Sequence, residues 1–479
     1  MVYSSVCDLQ FPSYLAGTFT SEGKTLEVHN PFDGTLVGTA YQVTEIQLNE
    51  AIEAARAIRY DLQEMPSWKK YEILMAIASR LNNEKEFFAR LIASESGKPI
   101  KSAFAETERA IQTFRIAAEE SRRLPSEYLS LDWARSTETK EGLVKYFPAG
   151  IVAGISPFNF PLNLAVHKIA PAIAAGCPII LKPSSLTPLS TLYLAKIIHE
   201  CDLPAGALSV LPMDRPSGNL LVTDERIKVL SFTGSPEVGW MMKNQAGKKK
   251  VVLELGGNAG LIVSQPTDMD DVVKKCVNSA FSYSGQVCIH TQRIFVLSHH
   301  FEHFISRFVE EVSALKSGNP LDDATDISVM IDIENAKRVE SWIQESVIEG
   351  GRLLIGGKRH NSYVEPTVIT NTHPDHKVCS EEVFGPVVVI EPIGSLDEGI
   401  RRINESRFGL QAGLFTDSLQ EINTAFKRIE VGGLIINDVP SYRVDHMPYG
   451  GVKDSGFGRE GVKYAMYDML EARILVKPA

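Results

Sequence analysis

From Ile151 to Phe232 the chain alternates short, mostly apolar runs with longer segments of helical period. Ile151-Val152-Ala153-Gly154-Ile155, Pro178-Ile179-Ile180-Leu181-Lys182, Ala207-Leu208-Ser209-Val210-Leu211 and Val229-Leu230-Ser231-Phe232 have strand length and no regular polar face. Leu164–Ala175 and Thr187–Cys201 lie between them and read as helices. Strands buried on both faces and joined by helices predict a parallel, doubly wound sheet. Ahead of it the period is helical from Thr44 to about Arg123. Thr44 is the N-cap, Ala51, Ala54, Ala55 and Ile58 form an apolar stripe, and a second helix starts near Ser67. A third helix ends at Ser96-Gly97-Lys98-Pro99, and a fourth covers Ala105 to Ser121. Residues 11–40 predict short strands around the turn Asn30-Pro31-Phe32-Asp33-Gly34. Between about Leu124 and Tyr146 the composition shifts to Ser, Thr, Glu and short β-like pieces, a strand excursion from the main body. After Asp268 a second α/β alternation begins. Its helices are Met269–Ala280, Phe301–Leu315 and Ile333–Glu349, and its strands lie at Leu353–Ile355, Thr367–Ile369, Val387–Ile390 and Gly433–Asn437.

In such sheets ligands sit at the carboxyl ends of the strands. The segments there are Ser156-Pro157-Phe158-Asn159-Phe160-Pro161, Lys182-Pro183-Ser184-Ser185 and Thr233-Gly234-Ser235-Pro236. The last is a small-residue loop opening a helix, a seat for an anion on free N–H groups and the helix dipole. It lacks the GxGxxG spacing, and an ordinary strand-to-helix turn accounts for it equally well. Glu254 interrupts the apolar run Lys250–Leu255, so burial is expected, with a raised pKa that suits a general base near neutrality. Gly256-Gly257 suggest close approach of the backbone to a ligand. Cys288 follows the flexible pair Ser284-Gly285 and precedes the β-rich run Arg293–Leu297. A thiol on a loop backed by a strand can be held facing a cleft, as a nucleophile requires, although on residue type alone a buried, inert cysteine is the more common reading.

A length of 479 residues predicts two or three domains. The net charge of −10 argues against nucleic acid as a partner. The six cysteines, Cys7, Cys177, Cys201, Cys276, Cys288 and Cys379, are scattered without a CxxC pair, which favours free thiols in a reducing compartment. Cys177, Cys201 and Cys276 read as inert core. The N-terminal residues show no signal peptide, and no apolar run reaches the ~20 residues of a membrane helix. A cytoplasmic protein with no membrane partner is therefore expected. His299, His300 and His303 sit at a helix start without acidic or cysteine partners at ligand spacing, so no metal site is assigned. Lys248-Lys249-Lys250 reads as a solvated turn.

Taken together, Ser156–Pro161, Phe232-Thr233-Gly234-Ser235, Leu253-Glu254-Leu255-Gly256-Gly257-Asn258, Gly285-Gln286-Val287-Cys288, Glu381-Glu382-Val383-Phe384-Gly385-Pro386 and Pro448-Tyr449-Gly450-Gly451 resemble the motifs of the aldehyde dehydrogenase superfamily in kind, order and spacing. The resemblance covers nearly the whole chain. It implies an α/β fold: a doubly wound parallel-sheet dinucleotide-binding domain over 1–123 and 147–254, an α/β catalytic domain over 255–455, and a small β bridging element over 124–146 and 456–479 that builds homodimers or homotetramers. It also implies that Cys288 attacks an aldehyde to give a thiohemiacetal. The Asn159 amide and the Cys288 backbone N–H would hold the oxyanion. Loss of hydride to NAD or NADP would leave a thioester, and Glu254 would activate the water that hydrolyses it. Ile155, Ser156, Pro157, Phe158, Lys182, Ser184, Ser185, Gly234, Ser235 and Gly256 carry over as cofactor contacts, with Glu382 and Phe384 on the nicotinamide side.

The chain departs from the common pattern at Ser185, where many NAD-specific members carry Glu. Without that carboxylate nothing repels a 2′-phosphate, so NADP is expected to be accepted, alone or with NAD. By analogy Asn163, His167, His290, Arg443 and His446 face the substrate entrance. A polar mouth suits a small hydroxylated or anionic aldehyde of the lactaldehyde, glyceraldehyde phosphate or semialdehyde type. Arg443-Val444-Asp445-His446 resembles the lactaldehyde and non-phosphorylating glyceraldehyde-3-phosphate dehydrogenases, although Val287 stands where the latter often carry Arg. Two other readings stay open: a relative that passes its thioester to coenzyme A, disfavoured by the presence of Glu254, and a non-catalytic protein on the same scaffold, disfavoured by intact Asn159, Glu254 and Cys288.

Overall fold

The structure is a computed structural model and describes residues 9–266 and 268–479; Cys7 and the N-terminal segment read above for a signal peptide lie outside the described residues. Two large sheets organise the chain. In the first, of eight strands, the five central ones run parallel in the spatial order Lys250–Glu254, Ile227–Thr233, Ile151–Ile155, Ile179–Lys182 and Leu208–Val210. The order reverses between Ile151–Ile155 and Ile227–Thr233. That is the topological switch point, where helices leave on opposite faces and a crevice opens at the carboxyl ends. Register brings Ile155 level with Phe232 and Lys182, and Thr233 level with Glu254. Antiparallel strands close both edges. Gly456–Phe457 pairs with Lys250–Glu254 on one side, and Ser13–Leu15 followed by Thr18–Thr20 covers the other.

The second sheet has seven strands in the order Arg352–Ile355, Thr367–Thr370, Val387–Ile393, Arg293–Leu297, Gly260–Gln265, Gln411–Thr416 and Gly433–Ile436. All pairs are parallel except the first. The chain crosses from one sheet to the other between Glu254 and Gly260, in five residues. A third, antiparallel sheet is built by Ser126–Ser130, Lys140–Pro148 and Leu470–Pro478, with Leu470–Pro478 at its edge. Of residues 456–479, then, only the last strand joins the small sheet.

Local chemistry explains the helix ends. Thr44 caps Glu45–Glu64 with a full capping box: its hydroxyl accepts from the Gln47 N–H, and its own N–H donates to the Gln47 side chain. Gly97 ends Lys85–Ser96 in the left-handed conformation, φ 71°. Asn163–Ala175 is buried along every side, the signature of a core helix. Each fully buried residue such as Phe114 or Ile92 contributes about 1.5–3 kcal/mol by leaving water. No described helix is long and apolar enough to cross a membrane.

Candidate active site

Cys288, Glu254 and Asn159 line one cavity of about 430 Å3 at the switch point, together with Pro157, Phe158, Gly234, Ser235, Gly256, Glu382 and Phe384. The two glycines after Glu254 are required by the protein's own packing. A Cβ on Gly256 would lie 2.3 Å from the Glu382 carboxylate, and one on Gly257 would lie 2.6 Å from the Cys288 carbonyl oxygen. The close approach expected of these glycines is thus to the Cys288 and Glu382 loops themselves.

Cys288 is half-buried at the end of a tightly constrained loop. Tyr283, Ser284 and Gly285 are all left-handed, with φ of 48°, 53° and 69°. For Tyr and Ser that conformation persists only where surroundings enforce it. Here the Tyr283 hydroxyl donates to the Ser96 carbonyl (3.1 Å), the Ser284 hydroxyl to the Ser328 carbonyl (2.8 Å), and the Ile331 N–H to Gln286 Oε1 (2.9 Å). The Asn159 side-chain amide donates to the Gln286 carbonyl at 3.0 Å, which holds it beside the nucleophile loop. The Asn159 loop is anchored in turn by Glu106, whose carboxylate accepts the N–H groups of Leu162 and Asn163 at 3.0 and 3.1 Å. Fully buried Lys98 pairs with Glu106, and its ammonium lies over the rings of Phe160 and Tyr283, at 3.8 and 4.6 Å. One buried cation therefore grips both loops. Burial pushes the Cys288 thiol up to about 11, opposed by the hydrogen bond from Tyr449.

Glu254 is 3% exposed, and neither carboxylate oxygen has a hydrogen-bond partner among the described residues. Burial first, then the charge of Glu460, raises its pKa well above the usual carboxylate range, while Arg443, Lys168 and Arg459 pull the other way. Glu460 goes in the opposite direction, down to about 2: burial disfavours its charge, but Lys168 and Arg443 outweigh that. Burial, the like charge and the neighbouring cations thus push the two carboxyls in opposite directions. Two cations fix Glu460: Lys168 Nζ at 3.3 Å and Arg443 Nη2 at 3.1 Å.

Of the positions read as cofactor contacts, Pro157, Phe158, Gly234, Ser235, Gly256, Glu382 and Phe384 line this cavity, whereas Ile155, Ser156, Lys182, Ser184 and Ser185 lie outside its lining, at or just past the ends of Ile151–Ile155 and Ile179–Lys182. Ser235 begins the helix Pro236–Gln245 without spending its side chain on a cap, so the first-turn N–H groups stay open toward the cavity. The Ser156 hydroxyl, at the end of Ile151–Ile155, is buried and has no partner among the described residues. Lys182 is half-buried at the end of its strand, and desolvation lowers its pKa against the opposing pull of Asp214. A dinucleotide fits this donor set: open amides, a hydroxyl and an ammonium at adjoining strand ends. Glu382 accepts the Gly257 N–H at 2.9 Å, with its carboxyl pushed up to about 7 by burial. Phe384, left-handed at φ 46°, packs edge-on to Phe158. Ile155 lies buried at the strand end, and Ser184 turns its hydroxyl to the Leu186 N–H. Ser185 is half-buried.

The family resemblance puts five residues at an entrance; the structure buries the side chains of four and exposes one. Asn163, His167 and His290 are buried, at 1%, 2% and 1% exposure, and the Arg443 side chain is 6% exposed. Only His446 is exposed. These positions are no open rim because Asn163 and His167 ride on the core helix and His290 turns inward from the Cys288 loop. His167 Nε2 bonds Asp445 Oδ1 at 2.8 Å, and Asp445 also takes two bonds from Arg109. His290 Nδ1 bonds the Val287 carbonyl at 2.9 Å, and burial lowers its pKa to about 4, so it is neutral. Lys168, Glu460, Tyr449 and Arg109 were not singled out by sequence as site residues. The available signals were Lys168, a charge in a mostly apolar helix, and the Pro448-Tyr449-Gly450-Gly451 motif that carries Tyr449.

Comparison with known proteins agrees with this fold. The sequence profile of the aldehyde dehydrogenase family matches residues 19–475. A 3-sulfolactaldehyde dehydrogenase of Priestia aryabhattai is 41% identical over 469 residues, 98% of each chain. The crystal structure of aldehyde dehydrogenase 21 from Physcomitrella patens, in complex with the reaction product succinate, superposes with a TM-score of 0.96 at 43% identity over 98% of each chain. That of the glyceraldehyde-3-phosphate dehydrogenase GapN from Methanocaldococcus jannaschii, complexed with NADP, gives 0.91 at 37% identity, covering 95% of this chain and 99% of that one.

Proposed function

The chain belongs to the aldehyde dehydrogenase family, and from that premise we propose that it oxidises a small, hydroxylated or anionic aldehyde to its acid with NAD(P)+, using Cys288, Asn159 and Glu254. The observation that carries the residue roles is the convergence of these three side chains on one cavity. The Cys288 sulfur adds to the carbonyl carbon, and the oxygen takes up the electron pair. The Asn159 amide and the Cys288 N–H receive that oxygen as hydrogen-bond donors. When bound, the dinucleotide supplies a hydride acceptor. Glu254 then takes a proton from water attacking the Cys288 thioester; its raised pKa makes it the stronger base once ionised. With that base at the cavity, release needs water and no coenzyme A.

The substrate class rests on unmet hydrogen bonds. Among the described residues, Asn163 Nδ2 and Arg443 Nε are buried donors without partners. His167 Nδ1 and His290 Nε2 are also unpartnered, and as the opposite ring nitrogens of each face an oxygen, both are acceptors in the neutral ring. A ligand with an anionic oxygen and a hydroxyl answers both kinds. Such groups occur in 3-sulfolactaldehyde and glyceraldehyde 3-phosphate, the compounds named for the relatives, and a short acidic tail alone in the semialdehyde of succinate. In a panel of these and hexanal, followed at the reduced nicotinamide band with NAD and with NADP, kcat/KM for a short anionic aldehyde should exceed that for hexanal by at least about 100-fold, the scale of two unmet buried hydrogen bonds. NADP should be turned over, since Ser185 offers no repelling carboxylate. Long alkanals as best substrates would sink the substrate class.

Assembly follows from Leu470–Pro478. This edge strand exposes Ile474, Leu475 and Val476 at 49–59%. Bare apolar edges invite pairing, and a second copy is the occupant that keeps the protein from aggregating. Light scattering should give a dimer or tetramer, and Leu475→Lys should lower the mass; a monomeric parent protein would refute this. The free thiols among the described residues, mostly buried, suit the reducing cytoplasm.

A further inference from the structure

Tyr449 belongs to the turn Pro448-Tyr449-Gly450-Gly451, and the reaction outlined above leaves it idle. Its hydroxyl nevertheless lies 3.2 Å from Cys288 Sγ. Backbone bonds in both directions with Glu460 hold it there: the Tyr449 N–H donates to the Glu460 carbonyl at 3.0 Å, and the Glu460 N–H to the Tyr449 carbonyl at 2.6 Å. The Arg443 guanidinium sits 3.6 Å from the centroid of the Tyr449 ring and is tied to the Glu460 side chain. Arg443, Tyr449 and Cys288 thus form a line, cation to ring to sulfur, anchored at one carboxylate. A cation on a phenol's face draws electron density from the ring and strengthens the O–H as a donor.

We propose that Tyr449 is a catalytic residue: its O–H donates to the Cys288 thiolate and, with Arg443 on its ring, lets the sulfur ionise in a site whose dryness resists charge. The proposal rests on Cys288 being the nucleophile. The thiol proton passes to hydroxide or bulk water, and the phenol keeps its own. Four groups face the sulfur. Tyr449 and Arg443 favour the thiolate, while Glu382 and Glu254 oppose it. The phenol stays protonated throughout, because burial and then the adjacent sulfur raise its pKa well above the ordinary range, more than Arg443 lowers it. A hydroxyl that remains a donor across the working pH is what a thiolate needs.

Tyr449→Phe removes one oxygen and leaves the ring for Arg443. The measurement is the rate at which iodoacetamide alkylates Cys288, followed on its peptide by mass spectrometry from pH 6 to 11, alongside kcat/KM. A lost hydrogen bond to a charged group predicts alkylation near neutral pH slowed by about 10-fold to 100-fold, a midpoint moved upward, and kcat/KM lowered in parallel. Arg443→Gln keeps the hydroxyl and should move the midpoint the same way by less, so the idea survives a poorly folded phenylalanine variant. A folded Tyr449→Phe protein with the parent midpoint overturns the role of Tyr449 and leaves the nucleophile in place. Parent protein alkylated at Cys288 that still oxidises aldehydes overturns the nucleophile itself.

Discussion

Replacing Cys288 by alanine is expected to lower aldehyde oxidation by on the order of 10^4-fold or more, because every later step needs the carbon–sulfur bond. The protein should stay folded. The nucleophile loop is held by Tyr283, Ser284 and Gln286, whose bonds to Ser96, Ser328 and Ile331 do not involve the thiol. Losing one half-buried sulfur costs about 1 kcal/mol or less. Steady-state turnover measured at the reduced nicotinamide band, with Tm by scanning fluorimetry, reads both quantities. Oxidation within tenfold of the parent would remove Cys288 from the chemistry; a collapsed Tm would call for Cys288→Ser in its place.

Glu254→Gln keeps the shape of the side chain and removes the base. Turnover should fall by about 10^2-fold to 10^4-fold, the range for a positioned general base. The first turnover should survive, giving a burst of one reduced nicotinamide per working subunit and an acyl adduct on the Cys288 peptide. A uniform slowing without burst or adduct would place Glu254 elsewhere in the reaction. The same substitution carries a stability signature. Burial and Glu460 raise the Glu254 pKa in the folded protein. Between the ordinary carboxylate pKa and that raised value, the folded state binds more protons than the unfolded one, so stability falls as pH rises. Glutamine has no such penalty. The variant should therefore be more stable than the parent at pH 8 to 9, with the difference vanishing below about pH 4. For the parent, hydrolysis should accelerate on the alkaline side as Glu254 ionises, a limb that the glutamine variant lacks.

Much of this site could be read from the chain because its signals are local. Alternating apolar runs announced the parallel sheet, and Glu254 stood out as a carboxylate whose neighbours predict burial. The Thr44 cap needed only Gln47, three residues on. Two central strands of the second sheet, Gly260–Gln265 and Gln411–Thr416, escaped notice. The first follows a glycine pair that reads as loop, and the second carries a glycine at its centre, Gly413. What surrounds the sulfur was illegible for a different reason. Lys168 and Glu460 meet across 292 residues of sequence, and His167 and Asp445 across 278. No local pattern encodes such a pairing. The depth of Asn163, His167 and His290 was illegible for the same reason: the family resemblance points them toward an entrance, and only their burial and partners show how deep they lie.

Glu254 is the last residue of a strand in the eight-stranded sheet, whereas Cys288 precedes a strand of the seven-stranded one. Base and nucleophile are therefore carried on different slabs, spliced by a five-residue seam. Sliding one slab on the other would alter the gap that water must bridge without disturbing either side chain's own packing. Substitutions along that seam, whose Gly256 and Gly257 pack on the Glu382 and Cys288 loops, gain a direct mechanical route to the hydrolysis rate.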